Sequence, residues 1–217
     1  MAVTVLLADD HGIIRQGIRL LLEQEPDIEV VGEAGDGRQA MEEAKRLRPE
    51  VVIMDITMPN LNGVDATRRL VSQLPDTKVI ALSIHSGRHF VADMLRAGAS
   101  GYLLKECLAD ELVRAIRTVV AGQVYLSPAA AKAVVETYVK DAPSSASGRP
   151  AALTDREREV LQLVAEGKTT KQIALKLHVS NKAIEATRRR VMDKLGIYSI
   201  AELTKYAIRQ GLTTINS

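Results

Sequence analysis

The chain has 217 residues, 46% hydrophobic and 26% charged, with 29 basic against 27 acidic side chains and a net charge of +2. This composition excludes a disordered or disulfide-built protein: the apolar content suffices for a core, and the single cysteine, Cys107, cannot close an internal bridge. No apolar run is long enough to span a membrane, and Met1-Ala2-Val3-Thr4 lacks the basic-then-apolar order of a secretory signal, so a cytoplasmic protein without a membrane partner is expected.

The charge is unevenly placed. Residues 1–126 carry 14 Lys and Arg against 18 Asp and Glu, residues 127–152 carry 3 against 2, and residues 153–217 carry 12 against 7. An acidic front and a basic back make the C-terminal part the place to look for a polyanion partner.

Along the chain, short apolar runs occur at residues 3–8, 28–31, 51–54, 78–82 and 101–104. Between them lie amphipathic stretches, such as Ile14, Ile18, Leu21 and Leu22, then Ala40, Ala44 and Leu47, and later Leu112, Ala115, Ile116 and Val119. This alternation predicts a doubly wound α/β domain over residues 1–125, with a five-stranded parallel sheet covered on both faces. The glycines of Gly32-Glu33-Ala34-Gly35-Asp36-Gly37 are not in dinucleotide-fingerprint order and read as a loop. Residues 126–150 read as a connection: Ser127 caps and Pro128 opens a helix running to Lys140, and Asp141 to Pro150 is a Pro/Ser/Gly-rich flexible linker.

Residues 151–217 read as an all-α domain of four helices. Thr154 to Glu157, Thr169 to Gln172 and Ser199 to Glu202 all have capping-box spacing, and Ser180 caps a further helix. Gly167, Gly196 and Gly211 stand where helices stop, and His178-Val179 is a tight connection.

The polar residues at strand ends carry the chemistry. Asp9 and Asp10 follow the first strand, Asp55 the third, Ser83 the fourth and Lys105 the fifth, all at the sheet edge where this architecture binds ligands. Three converging carboxylates call for a cation, and an all-oxygen donor set favours Mg2+. Asp55 is then a nucleophile toward phosphorus, with Lys105 and Ser83 to bind a phosphoryl group. Singly, an Asp after a strand is most often a cap or loop residue and Lys105 a solvated lysine; the convergence outweighs these. Cys107 reads as a small packed residue.

Together, Leu7-Ala8-Asp9-Asp10-His11, Asp55-Ile56-Thr57-Met58-Pro59-Asn60-Leu61-Asn62-Gly63, Ala81-Leu82-Ser83 and Gly101-Tyr102-Leu103-Leu104-Lys105 resemble a flavodoxin-like receiver domain of two-component signalling. The resemblance implies that Asp55 is phosphorylated by a sensor histidine kinase. It implies that Asp10 and Asp55 ligate Mg2+ directly, Asp9 through a water, with the Thr57 carbonyl completing the set. Ser83 and Lys105 would contact the phosphoryl group. Two residues depart from the common pattern: Ile84 stands where a small residue is usual and is expected to crowd the site, and His85 stands where a switching Tyr or Phe is expected.

Residues 153–212 resemble the LuxR-type helix-turn-helix of the NarL/FixJ subfamily, through Leu153-Thr154-Asp155-Arg156-Glu157-Arg158-Glu159-Val160-Leu161, Ile173-Ala174, Lys194-Leu195-Gly196-Ile197, Glu202-Leu203 and Gly211-Leu212. This implies a third helix that enters the major groove of double-stranded DNA and a last helix that helps a homodimer form on activation. From 181 to 195, Ile184, Thr187, Val191 and Leu195 line a packing side. Lys182, Glu185, Ala186 and Arg189, flanked by Arg188 and Arg190, form the DNA-facing side. Glu185 and Thr187 replace the family's usual Lys and His.

The expectation is a phosphorylation-switched transcription factor rather than an enzyme. A haloacid-dehalogenase-type phosphatase needs a general acid two residues after its nucleophile, where Thr57 stands. A receiver blind to phosphate is disfavoured by the intact Asp9, Asp10, Asp55 and Lys105.

Overall fold

The computed structural model describes residues 2–106, 109–140 and 153–214, apart from the side chains of 137–140. Cys107 and the 141–150 linker lie outside the described residues. Two compact units are present.

The first unit runs β1 (Val3–Ala8), α1 (Gly12–Leu22), β2 (Ile28–Ala34), α2 (Gly37–Leu47), β3 (Val51–Met54), α3 (Gly63–Gln73), β4 (Lys78–Ser83), α4 (Arg88–Arg96), β5 (Gly101–Leu104), α5 (Ala109–Val120), β6 (Tyr125–Leu126) and α6 (Pro128–Lys140). The sheet order is β2-β1-β3-β4-β5-β6, and every pairing is parallel. Strand order therefore reverses beside β1, between its neighbours β2 and β3, which opens a crevice at the carboxyl ends of β1 and β3.

Both faces of the sheet are buried, which is why its strands read as near-continuous apolar runs. Val5, Leu7, Ile53, Ile80, Leu82 and Leu103 pack with Leu22 of α1 and Leu112, Ile116 and Val119 of α5. On the opposite face Leu6, Val52, Met54, Val79 and Tyr102 are also buried, as are Ala40, Ala44, Leu70, Val91 and Met94 on α2, α3 and α4.

The sheet has six strands where the sequence predicts five. The extra strand pairs only Tyr125 with Gly101 and Leu126 with Tyr102, and two residues are too few to show a period. The helix expected after it forms as read, with Ser127 Oγ accepting from Ala130 N at 3.4 Å. Ala130 and Ala133 are buried, and α6 packs against α4 and β5.

The second unit is α7 (Asp155–Ala165), α8 (Thr170–Lys176), α9 (Asn181–Leu195) and α10 (Ile200–Arg209). Helix α7 is central and divides the core. Val160, Leu163 and Val164 meet Ile173, Ala174, Leu177 and Ile184, while Leu161 joins Val191, Leu203, Ala207 and Leu212. Two predicted capping boxes form, Thr154 with Glu157 and Thr169 with Gln172. The third does not: Ser199, with ψ 132°, makes no side-chain cap bond, whereas the capping Thr154, Thr169 and Ser180 have ψ between 154° and 162°. Gly196 closes α9 at φ +65°, the left-handed conformation for which a glycine is suited.

Candidate functional site

Strand register assembles the first site. Ala8 pairs with Met54 and Ser83 with Leu104, so the residues just beyond these ends emerge side by side. Backbone bonds extend the ladders by one step: Asp9 N to Ala34 O (3.1 Å), Asp55 N to Ala8 O (2.8 Å) and Lys105 N to Ser83 O (2.8 Å). Asp9, Asp10, His11 and Asp55 each bring a ligating atom within 4.8 Å of the others. Lys105 Nζ bridges Asp9 Oδ2 (2.7 Å) and Asp55 Oδ2 (2.8 Å). All five strand-end residues read from the sequence thus lie at this edge.

The loop beyond Asp55 is held by close backbone packing. Gly63 N donates to Ile56 O at 2.7 Å, and a Cβ at Gly63 would lie 1.9 Å from the Asp55 carbonyl oxygen. Only glycine fits there. Buried Asn62 caps α3 by accepting from Asp65 N at 3.0 Å. Behind the acidic pair, Arg15 Nη1 donates to the Asp9 carbonyl at 2.6 Å while its Nε bonds Glu33 at 2.7 Å.

Electrostatics follow from burial. Desolvation pushes the Asp55 carboxyl up to about 6; Lys105 opposes the shift and Asp9 and Asp10 add to it. Burial lowers the Lys105 ammonium, but Asp55 and Asp9 more than reverse this and its net shift is upward. The pocket therefore carries three carboxylates and one cation, a hard-oxygen donor set able to hold a divalent ion.

Ser83 is fully buried, with Oγ accepting from His85 N at 3.0 Å. Burial, then His89 and Lys105, lower the His85 imidazole; its Nε2 shares a 3.3 Å hydrogen bond with Thr57 Oγ1. The ring stacks on Phe90, with centroids 4.2 Å apart. Ile84, the residue expected to crowd the site, is 69% exposed.

Two residues escaped sequence reasoning. His11 Nδ1 lies 2.8 Å from Asp10 Oδ1, and nothing about a lone His after an acidic pair announces this. Tyr102, fully buried, donates its hydroxyl to the His85 carbonyl at 2.6 Å, and burial holds its phenol well above the usual range. An aromatic within an apolar strand reads as core, and its partner comes from another loop.

The second site is α9. Ser180 Oγ caps it by accepting from Ala183 N at 3.2 Å. Ile184, Thr187 and Val191 are buried as expected, while Lys182, Glu185, Ala186, Arg189 and Arg190 are exposed and Arg188 is half-buried. Among the described residues, none of Lys182, Arg188, Arg189 and Arg190 has a carboxylate partner, whereas Arg156, Arg158 and Lys194 do. Thr187 Oγ1 donates to the Ala183 carbonyl (2.9 Å) and accepts from Arg190 Nη2 (3.0 Å). No helix among the described residues is long and apolar enough to cross a membrane.

Comparison with known proteins agrees with both halves. Residues 5–117 match the response regulator receiver domain, and residues 151–207 match the bacterial regulatory proteins of the luxR family. The chain is 36% identical over 212 residues to the oxygen regulatory protein NreC of Staphylococcus carnosus, covering 96% of this chain and 98% of that one. It resembles RcsB of Salmonella enterica serovar Typhimurium bound to promoter rprA with a phosphomimetic, at 26% identity and a TM-score of 0.62, covering 95% of this chain and 98% of that one. It also resembles a structure of two RcsB dimers bound to two parallel DNAs, at 27% identity and a TM-score of 0.59, covering 95% and 98% of the two chains. Matches to both domains and a near-full-length relative at this identity leave one assignment: the chain is a LuxR-family two-component response regulator, with a receiver domain and a helix-turn-helix domain.

Proposed function

We propose that phosphorylation of Asp55 by a sensor histidine kinase makes this chain a homodimer that binds double-stranded DNA sequence-specifically and controls transcription. The observation that carries the reading is Lys105 bridging Asp9 and Asp55 beside a donor set of three carboxylates. An Asp55 carboxylate oxygen attacks the phosphorus of a phosphoimidazole. The P–N bond breaks with its electron pair going to nitrogen, and an acyl phosphate forms on Asp55. Lys105, freed from Asp55, binds a phosphoryl oxygen, and Ser83 turns its hydroxyl to another. His85, bonded through its backbone to Ser83 and Tyr102, moves with Ser83 and carries the change to the loop before α4.

The oxygen donors fit magnesium, which Asp10, Asp55 and the Thr57 carbonyl would hold directly and Asp9 through a water. When bound, the ion supplies positive charge to the transferring phosphoryl group.

For the second domain, the cations on α9, which lack a carboxylate partner among the described residues, support DNA binding through Lys182, Glu185, Ala186, Arg188, Arg189 and Arg190. The RcsB–promoter and RcsB-dimer structures support the partner and the dimer. The site of action is the cytoplasm. No multiple-turnover activity is expected, since Thr57 offers no general acid. The division into receiver (1–125), connection (126–150) and DNA-binding module (151–217) is supported by the family matches, with the packing of α6 on α4 favouring its inclusion in the receiver.

The test uses acetyl phosphate with magnesium on the wild type and Asp55→Asn, read by mass spectrometry, followed by DNA selection from a random pool. One phosphoryl group on the wild type alone, with tighter DNA binding, is expected. Equal labelling of both proteins overturns the acceptor, and unchanged DNA affinity overturns the coupling.

A further inference from the structure

We propose that Thr187 is a positioning residue for DNA recognition: it holds the Arg190 guanidinium against the flank of α9, ready for a phosphate of the DNA backbone. The inference rests on the reading that α9 enters DNA, and goes beyond it by assigning a role to a buried side chain. Thr187 is only 5% exposed, so it cannot itself reach a base. Its hydroxyl proton is committed to the Ala183 carbonyl at 2.9 Å, which leaves its oxygen to accept, and Arg190 Nη2 fills that role at 3.0 Å.

The neighbours suit this. Arg190 lies one turn beyond Ala186, and long side chains on a helix lean toward its N-terminus. Ala183 and Ala186 are too short to block that path, so the guanidinium lies back along the flank toward the half of α9 that leads into DNA. Among the described residues Arg190 has no carboxylate partner. Its side-chain bond among the described residues is to a neutral oxygen, so its full charge and its remaining N–H donors stay available. A free arginine would lose its rotamer freedom on binding; one already held has lost it in the folded chain.

The experiment measures affinity of the full phosphorylated chain for a duplex recovered from a random pool with the wild type, over a range of salt concentrations. Thr187→Val keeps the branched shape and removes the hydroxyl; it is expected to weaken binding roughly three- to tenfold, while Thr187→Ser stays within about twofold of wild type. Arg190→Ala is expected to lower the salt slope by about one and leave the selected sequence unchanged. In the Arg190→Ala background, Thr187→Val should have no further effect on affinity.

An equal Thr187→Val effect in both backgrounds, or failure of Thr187→Ser to rescue, would mean that Thr187 acts through packing and would overturn the proposal. So would wild-type affinity in Arg190→Ala, or a changed selected sequence, although DNA binding by α9 would then stand. A wild-type chain that enriches no duplex would overturn that underlying reading as well.

Discussion

Lys105 donates to Asp55 across 2.8 Å, with both side chains more than nine-tenths buried. The lysine does not fully offset the burial of its partner, and the Asp55 carboxyl titrates near 6 against an ordinary 3.8. A raised acid favours the folded state in its protonated form. The cost of the buried carboxylate is therefore absent below about pH 4, grows through the interval to about 6 and is complete above it. A shift of this size is worth about 3 kcal/mol at most. In EDTA, Asp55→Asn is expected to stabilise the protein at pH 8 by about 1–3 kcal/mol and to gain little at pH 4, since Lys105 keeps Asp9. Urea midpoints at the two pH values check this; a variant less stable than wild type at pH 8 would refute it.

In the proposed ligand set, proton and metal compete for the Asp55 carboxylate. Magnesium affinity of the wild type should fall about tenfold per pH unit below 6, and the fall should begin near pH 6 rather than near 4. Isothermal titration at pH 5, 6 and 7.5 measures it. A flat profile between pH 7.5 and 5 would remove Asp55 from the ligand set.

In the second domain, Lys194 on α9 donates to the buried Glu157 on α7 at 2.7 Å. Burial raises the Glu157 carboxyl, but Lys194 and the Thr154 cap outweigh it and hold it below the usual range. This stabilisation is present above the ordinary carboxylate range near 4.5 and is lost as pH falls below it. Lys194→Met is expected to destabilise by about 1–2 kcal/mol at pH 7, discounted because the lysine is one-third exposed, and by much less at pH 4. Thermal unfolding at both pH values decides; an equal loss at each would assign the effect to packing.

Glu185 is exposed and, among the described residues, pairs with neither Arg188 nor Arg189, which favours base reading over orienting a neighbour. Glu185→Lys should therefore change which duplexes are selected, with about 1–3 kcal/mol at stake at one position. The same preferred sequence bound more tightly, with a steeper salt slope, would show instead that Glu185 only tempers phosphate attraction.

Truncation tests the place of α6. Ending the receiver after residue 126 removes the helix whose Ala130 and Ala133 are buried, and about 1–3 kcal/mol of stability should go with it. Fragments 1–126 and 1–140 with equal melting temperatures would make α6 part of the connection.

Much of this was legible because the governing signals are local. Strands buried on both faces read as apolar runs, so the first polar residue after each marks the same edge; that alone brought Asp9, Asp55, Ser83 and Lys105 together. Helical periodicity put Thr187 on the packed side of α9 and Arg189 on the exposed side. What stayed hidden depends on geometry that spacing does not carry. Ser199 has the right neighbour three residues on but the wrong ψ, Tyr125-Leu126 is too short for a pattern, and the Tyr102 hydroxyl finds its acceptor on another loop.

That last contact has a practical use. The chain has no tryptophan, five tyrosines and one phenylalanine, so its near-ultraviolet emission is dominated by tyrosine. Tyr102 is fully buried and tied to the loop carrying His85, whereas Tyr198 is 70% exposed and belongs to the other unit. The protein thus carries an unlabelled optical probe of its own acidic pocket, and subtracting the signal of Tyr102→Phe isolates it.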